Sequence, residues 1–178
     1  MNLNGILIAR EIGMGALAFR NVDFIDAYLG VKLGNAPVNL LNANQQNMTK
    51  WTKNGNFTIT YENNVNDVKL VTDSSAEYLH LYSVKVENGK QYRFQFKGCT
   101  PSGLSYISGQ NKQQIEIYTT KVIAETYWDG SASETMQKYT IDFTASTNSI
   151  NILFPFGKLD NNKTFTFKIK DLALYEVK

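Results

Sequence analysis

Three stretches of this chain alternate apolar and polar side chains with a period of two, which is the mark of a half-buried β-strand. Tyr92, Phe94 and Phe96 alternate with Gln91, Arg93, Gln95 and Lys97. Tyr139, Ile141 and Phe143 alternate with Lys138, Thr140, Asp142 and Thr144. Phe165, Phe167 and Ile169 alternate with Thr164, Thr166, Lys168 and Lys170. Successive strand residues point to opposite faces, so each stretch has one buried face and one wet face. Several such strands in series, with no long helical pattern between them, predict an all-β antiparallel sandwich.

The same reading places main-domain strands at 56–61, 67–72, 77–83, 91–97, 113–119, 121–127, 137–144, 149–156 and 163–177. The last is expected to break near Asp171. Gly55, Asn88-Gly89, Gly98, Gly109, Gly130, Gly157 and Asp160-Asn161-Asn162 supply turns between them. A helical turn is expected only around Asn42 to Asn47. Residues 1–37 read differently, as three or four short strands joined by glycine turns at Gly13, Gly15 and Gly30. They are too few to bury a core alone and are expected to act as a β-hairpin arm that packs elsewhere. Pro37 interrupts pairing and marks the boundary, leaving 38–178 as the main domain. That number of strands over about 140 residues matches a two-sheet jelly roll.

Composition closes off several function classes. A net charge of +2, with Lys and Arg scattered along the chain, does not suit a nucleic-acid protein. No run approaches the roughly 18 apolar residues of a membrane span. Residues Met1 to Ala9 lack the basic start and apolar stretch of a secretion signal, so synthesis in a cytoplasm is expected. One cysteine, Cys99, gives no disulfide framework, and the one histidine, His80, is its only imidazole partner for thiol chemistry. No nucleophile elbow, phosphate loop or paired-histidine spacing is present, so no catalytic residue is assigned and a non-enzyme is expected.

Four phrases carry a resemblance. They are Asn39-Leu40-Leu41-Asn42, Trp51 before a strand, Val86-Glu87-Asn88-Gly89-Lys90-Gln91-Tyr92-Arg93-Phe94, and Phe167-Lys168-Ile169-Lys170-Asp171-Leu172-Ala173-Leu174-Tyr175-Glu176. In this order they resemble jelly-roll carbohydrate-binding modules, over residues 39 to 177. The resemblance implies a glycan-binding domain. It also implies a structural calcium held by an acidic residue on the last strand, a position matched by Asp171. Calcium takes six to eight oxygens, several of them carboxylates or carbonyls. Near the start of the domain the partner acids are missing and Asn42, Asn44 and Asn47 offer only amide oxygens, so no cofactor is assigned and calcium at Asp171 stays an open alternative. Separately, Phe24-Ile25-Asp26-Ala27-Tyr28-Leu29-Gly30-Val31-Lys32-Leu33 resembles a hairpin of small structural proteins of tailed phages.

Sugars are held by aromatic faces stacked on a pyranose, flanked by amides and carboxylates that bond hydroxyls. On strand 77–83, inward Leu79 and Leu81 leave Tyr78, His80 and Tyr82 in a row on the other face. That row is either a binding surface or a second buried face, covered by the arm or by another subunit. Trp128, with Asp129 beside it, reads either as an exposed platform on a loop or as a plug at one end of the sandwich. Tyr118 stands opposite in parity to Ile115 and Ile117, with Glu116 on the same wet face, and Tyr106 lies in a loop. Trp51 is expected in the core.

The combined expectation is a non-enzymatic structural protein of a tailed-phage virion, on capsid, tail or baseplate. The arm would attach it to other virion proteins, the jelly roll would face a host or environmental polysaccharide, and a homo-oligomer would cover the remaining apolar surface. Two other readings stand beside it: an architectural decoration or connector protein without a ligand, and a free-standing bacterial carbohydrate-binding protein.

Overall fold

The computed structural model describes residues 37–73, 77–105, 112–157 and 159–177. The expected arm at 1–37 lies outside them except for Pro37, as does Tyr106. A one-turn helix, α1 (Ala43–Gln46), and a 3-10 turn (Met48–Lys50) precede ten strands. These are β1 (Thr52–Asn54), β2 (Asn56–Glu62), β3 (Val65–Val71), β4 (Tyr78–Lys85) and β5 (Gln91–Cys99), then β6 (Lys112–Tyr118), β7 (Val122–Asp129), β8 (Gln137–Thr144), β9 (Ser149–Pro155) and β10 (Thr164–Glu176). They form two five-stranded sheets, ordered β1-β4-β9-β6-β7 and β2-β3-β10-β5-β8, with antiparallel pairing throughout.

Nine strands fall within two residues of where the alternation placed them. The tenth, β1, was not foreseen, because its three residues are all exposed and show no alternation. The inner faces meet in an aromatic core. Phe96 packs on Phe154 at 5.5 Å, Phe156 stacks on Phe167 at 5.0 Å, and Trp128 meets Phe167 edge-on at 5.7 Å. Trp51 is buried, as expected, and packs edge-on against Phe154.

The break expected near Asp171 is a bulge. The β10–β5 register shifts between Lys170 and Ala173, and Asp171 adopts a φ of 54°, a left-handed conformation that aspartate tolerates better than most residues. Around the bulge, Asn39 fills the gaps in the ladder. Its Nδ2 donates to the Leu172 carbonyl at 3.0 Å, and its Oδ1 accepts from the Leu174 amide at 3.0 Å. This gives the Asn39-Leu40-Leu41 phrase a mechanical meaning, since Leu40 N also donates to the Leu174 carbonyl and Leu41 is buried. The Asp171 carboxylate pairs with Lys97 Nζ at 2.9 Å. Among the described residues no three His, Cys, Asp or Glu side chains converge on a metal position. One carboxylate facing an ammonium does not fit the oxygen set that calcium takes.

Asn66 performs the second polar anchoring. It is fully buried on β3, accepts from the Met48 amide at 2.7 Å and donates to the Gln46 carbonyl at 3.0 Å. It thereby ties α1 and the following turn to the β2–β3 edge of the sandwich.

Candidate functional site

The outer face of the β1-β4-β9-β6-β7 sheet brings most of the expected side chains together. On β4, Leu79 and Leu81 point into the core, so Tyr78, His80 and Tyr82 project outward. On β6, inward Ile115 and Ile117 leave Gln114, Glu116 and Tyr118 on the outer side. On β9, inward Ile150, Ile152 and Phe154 leave Asn151 and Leu153 outward.

The register then sets the rows. His80 lies between Thr52 and Leu153, and Leu153 is followed by Glu116 and Glu125. Tyr118 pairs with Asn151, which faces the bulged part of β4 that carries Tyr82. His80 is the hub of this surface. Its ring centre lies 3.5 Å from that of Tyr82, 6.2 Å from Tyr78 and 6.5 Å from Tyr118.

Beside the aromatics lie groups that bond hydroxyls. Gln114 Nε2 donates to Glu125 Oε2 at 2.5 Å, and the Tyr127 hydroxyl donates to Glu125 Oε1 at 2.8 Å. That bond holds the Tyr127 phenol above its ordinary range, with some burial and the Glu125 and Glu116 charges acting the same way. Gln114, Glu125, Tyr127, Asn151 and Leu153 were not singled out from sequence. The available signal was parity, because each alternates with a core residue on its own strand.

Trp128 is not part of this surface. It is the seventh residue of β7, opposite Gln113, and is 1 % exposed against Phe96, Tyr139 and Phe167. The loop platform expected there is corrected to a core position, in line with the plug alternative. The strand runs two residues further than the sequence suggested, and Trp128 shares parity with inward Ala124 and Thr126. Asp129 stays exposed but is engaged locally, accepting from Ser131 N at 2.9 Å and Ser131 Oγ at 2.8 Å. It borders a groove of about 350 Å³ lined also by Thr100, Ser133, Lys138 and Tyr139, and by none of Tyr78, Tyr82 or Tyr118. Cys99 belongs to the other sheet, so the thiol and imidazole do not meet.

His80 is 7 % exposed, and burial lowers its pKa. Its own strand contributes Tyr78 and Tyr82, β1 contributes Thr52, and β9 contributes Leu153. The nearest carboxylates across the register are Glu116 and Glu125. A folded-state pKa below the ordinary value near 6.5 means that the folded protein prefers the neutral ring. That contribution is present above pH about 6.5 and is lost as pH falls through the lower folded value. Thermal unfolding of the wild type is therefore expected to lose stability below pH about 6.5 in excess of His80→Phe. Parallel pH profiles for the two proteins contradict this.

No family model and no curated protein matches this chain. Solved structures do. A family 61 carbohydrate-binding module in complex with β-1,4-galactotriose superposes with a TM-score of 0.57 at 15 % identity, covering 79 % of this chain and 99 % of that one. A family 4 module gives 0.56 at 14 % identity, covering 71 % and 94 %. The sandwich shares the jelly-roll fold of these modules. The enzymatically active domain of tailspike protein 4 of bacteriophage CBA120 also matches, with a TM-score of 0.54 at 13 % identity. That match covers 79 % of this chain but 22 % of the tailspike. At these identities the likeness is one of fold.

Proposed function

We propose that residues 38–178 form a non-catalytic glycan-binding module whose platform is the outer face of the β1-β4-β9-β6-β7 sheet. The observation that carries this reading is the gathering of Tyr78, His80, Tyr82 and Tyr118 on a face that also bears Asn151, Glu116 and Glu125. Tyr82 is 48 % exposed and presents a ring to solvent. The jelly-roll likeness to the family 61 module solved with bound β-1,4-galactotriose supports the same reading.

The setting we favour is a tailed-phage particle, with residues 1–37 attaching the module to other virion proteins and copies of the chain assembling together. Support for it comes from the Phe24–Leu33 phrase and from the phage tailspike that carries this fold. A free-standing bacterial module fits the fold equally well. Stoichiometric co-purification with virions is expected in the first setting, and its failure selects the second.

Native gels cast with polysaccharides, including β-1,4-galactan, hydroxyethylcellulose and bacterial capsular and cell-wall glycans, test the platform. Retardation of the wild type by at least one glycan is expected. Tyr118→Ala should weaken it about tenfold in Kd, equivalent to about 1.4 kcal/mol. An unretarded wild type across the panel instead favours the architectural reading, with the tyrosines serving subunit contacts.

A further inference from the structure

One polar atom in this surface is out of place. His80 Nε2 is closed off from solvent and has no hydrogen-bonding partner. Among buried side-chain nitrogens and oxygens of the described residues it is the single such case. Folded proteins pair nearly all such groups, so an orphan at a surface already identified as a candidate site calls for a reason.

The backbone beside it is also irregular. Between the Leu81–Ile152 and Val84–Ile150 pairs, Tyr82 and Ser83 oppose the single residue Asn151, and Ser83 takes a φ of 55°. This is a β-bulge, a device that re-aims side chains and releases a residue from the ladder. Asn151 Oδ1 accepts from the Ser83 amide at 2.9 Å and fixes the far side of the bulge. Residues two apart on a regular strand are separated by roughly 6.6 Å. The rings of His80 and Tyr82 nevertheless lie 3.5 Å apart at an interplanar angle of 32°. The Tyr82 ring therefore leans back along the strand and lies over the imidazole.

We propose that Tyr82 is a movable cover and that His80 Nε2 is the buried hydroxyl-bonding atom of the platform, exposed when an arriving sugar displaces the tyrosine ring. The second half of this statement rests on the glycan-binding reading above, while the first stands on the geometry of β4 alone. The platform then demands a hydroxyl at one position of the sugar. A ligand without it would uncover the nitrogen and leave it unpaired, which a polar site penalises more than an apolar pocket penalises a missing methylene.

Because His80 is the one histidine in the chain, its exposure can be read directly. Carbethoxylation by diethyl pyrocarbonate, followed through the imidazole absorbance of the intact chain, should be slow in the wild type and in Tyr82→Phe, which keeps the ring. In Tyr82→Ala it should be at least about tenfold faster, the ratio set by how rarely the cover opens. Modification of Tyr82→Ala at the wild-type rate overturns the cover.

His80→Phe keeps the ring and removes the nitrogen. Its melting temperature at pH 7.5 should equal or exceed the wild type's, since an unpaired buried polar atom is gone. Its retardation by β-1,4-galactan or hydroxyethylcellulose, whichever retards the wild type, should fall about tenfold, the worth of one hydrogen bond. Undiminished retardation of His80→Phe overturns the role of Nε2. If neither polymer nor any other glycan of the panel retards the wild type, the platform reading and the role of Nε2 fail together, and the carbethoxylation rates still decide the cover.

Discussion

Trp128→Ala is expected to destabilise the domain by about 3–5 kcal/mol, the range for deleting a large aromatic from a packed core. For a domain of this size that corresponds to a fall in melting temperature of roughly 10 °C or more. The indole touches Phe96, Tyr139 and Phe167, and the Gly98 backbone lies directly beneath it. A Cβ built on Gly98 would sit 2.9 Å from Trp128 Cζ2, so this glycine is kept small by the ring above it. Gly98→Ala should accordingly cost about 1–3 kcal/mol as an overpacking change. The two variants separate core from platform cleanly. A core tryptophan gives a large loss of thermal stability, and the folded fraction still binds any glycan that the wild type binds. A platform tryptophan gives an unchanged melting temperature and lost binding, and that pattern would sink the assignment.

Asn66→Ala is expected to be nearly as damaging, at about 2–4 kcal/mol, without removing much apolar surface. The substitution strands the Met48 amide and the Gln46 carbonyl, both of which Asn66 now pairs. Each buried group left unpaired costs about 1–3 kcal/mol. Urea unfolding followed by tryptophan fluorescence measures the loss, and Trp51 is a suitable reporter because its Nε1 donates to the Gln45 carbonyl within α1. Asn66→Asp keeps the acceptor for Met48 but sets a carboxylate oxygen against the Gln46 carbonyl in a fully buried position, so its loss at pH 7 should be at least as large as that of Asn66→Ala. Wild-type stability in Asn66→Ala would mean that α1 and its turn are held by apolar contacts, chiefly through Leu41 and Met48.

Most of the fold was legible because burial in a sandwich alternates with the pleat. Tyr92, Phe94 and Phe96 all point inward, and Gln91, Arg93 and Lys97 outward, as a period of two requires. The same rule correctly separated Tyr78, His80 and Tyr82 from Leu79 and Leu81. It failed at Trp128 because Trp-Asp-Gly reads as a turn, and ending β7 two residues early removed the parity that points the indole inward. It was silent on which strands are neighbours. Leu153 and Asn151 join the platform only because β9 lies between β4 and β6, an order no local pattern announces. Nor could it anticipate the bulge at Tyr82 and Ser83, since a two-for-one mismatch belongs to a pair of strands rather than to one of them. That bulge is also why His80, on the expected face, is nonetheless covered.

Leu40 hydrogen-bonds to Leu174, so the described domain is entered and left at one place, beside β10. That seam belongs to the β2-β3-β10-β5-β8 sheet, and the tyrosine surface belongs to the other sheet. A unit with adjoining ends can be inserted into a host polypeptide, or strung in series, with little disturbance to its own packing. Here the junction falls on the layer away from the tyrosine surface, so tethering would leave that surface open. Under the proposed glycan-binding role, copies joined this way engage one polymer together, and weak single contacts multiply into strong retention through effective concentration alone.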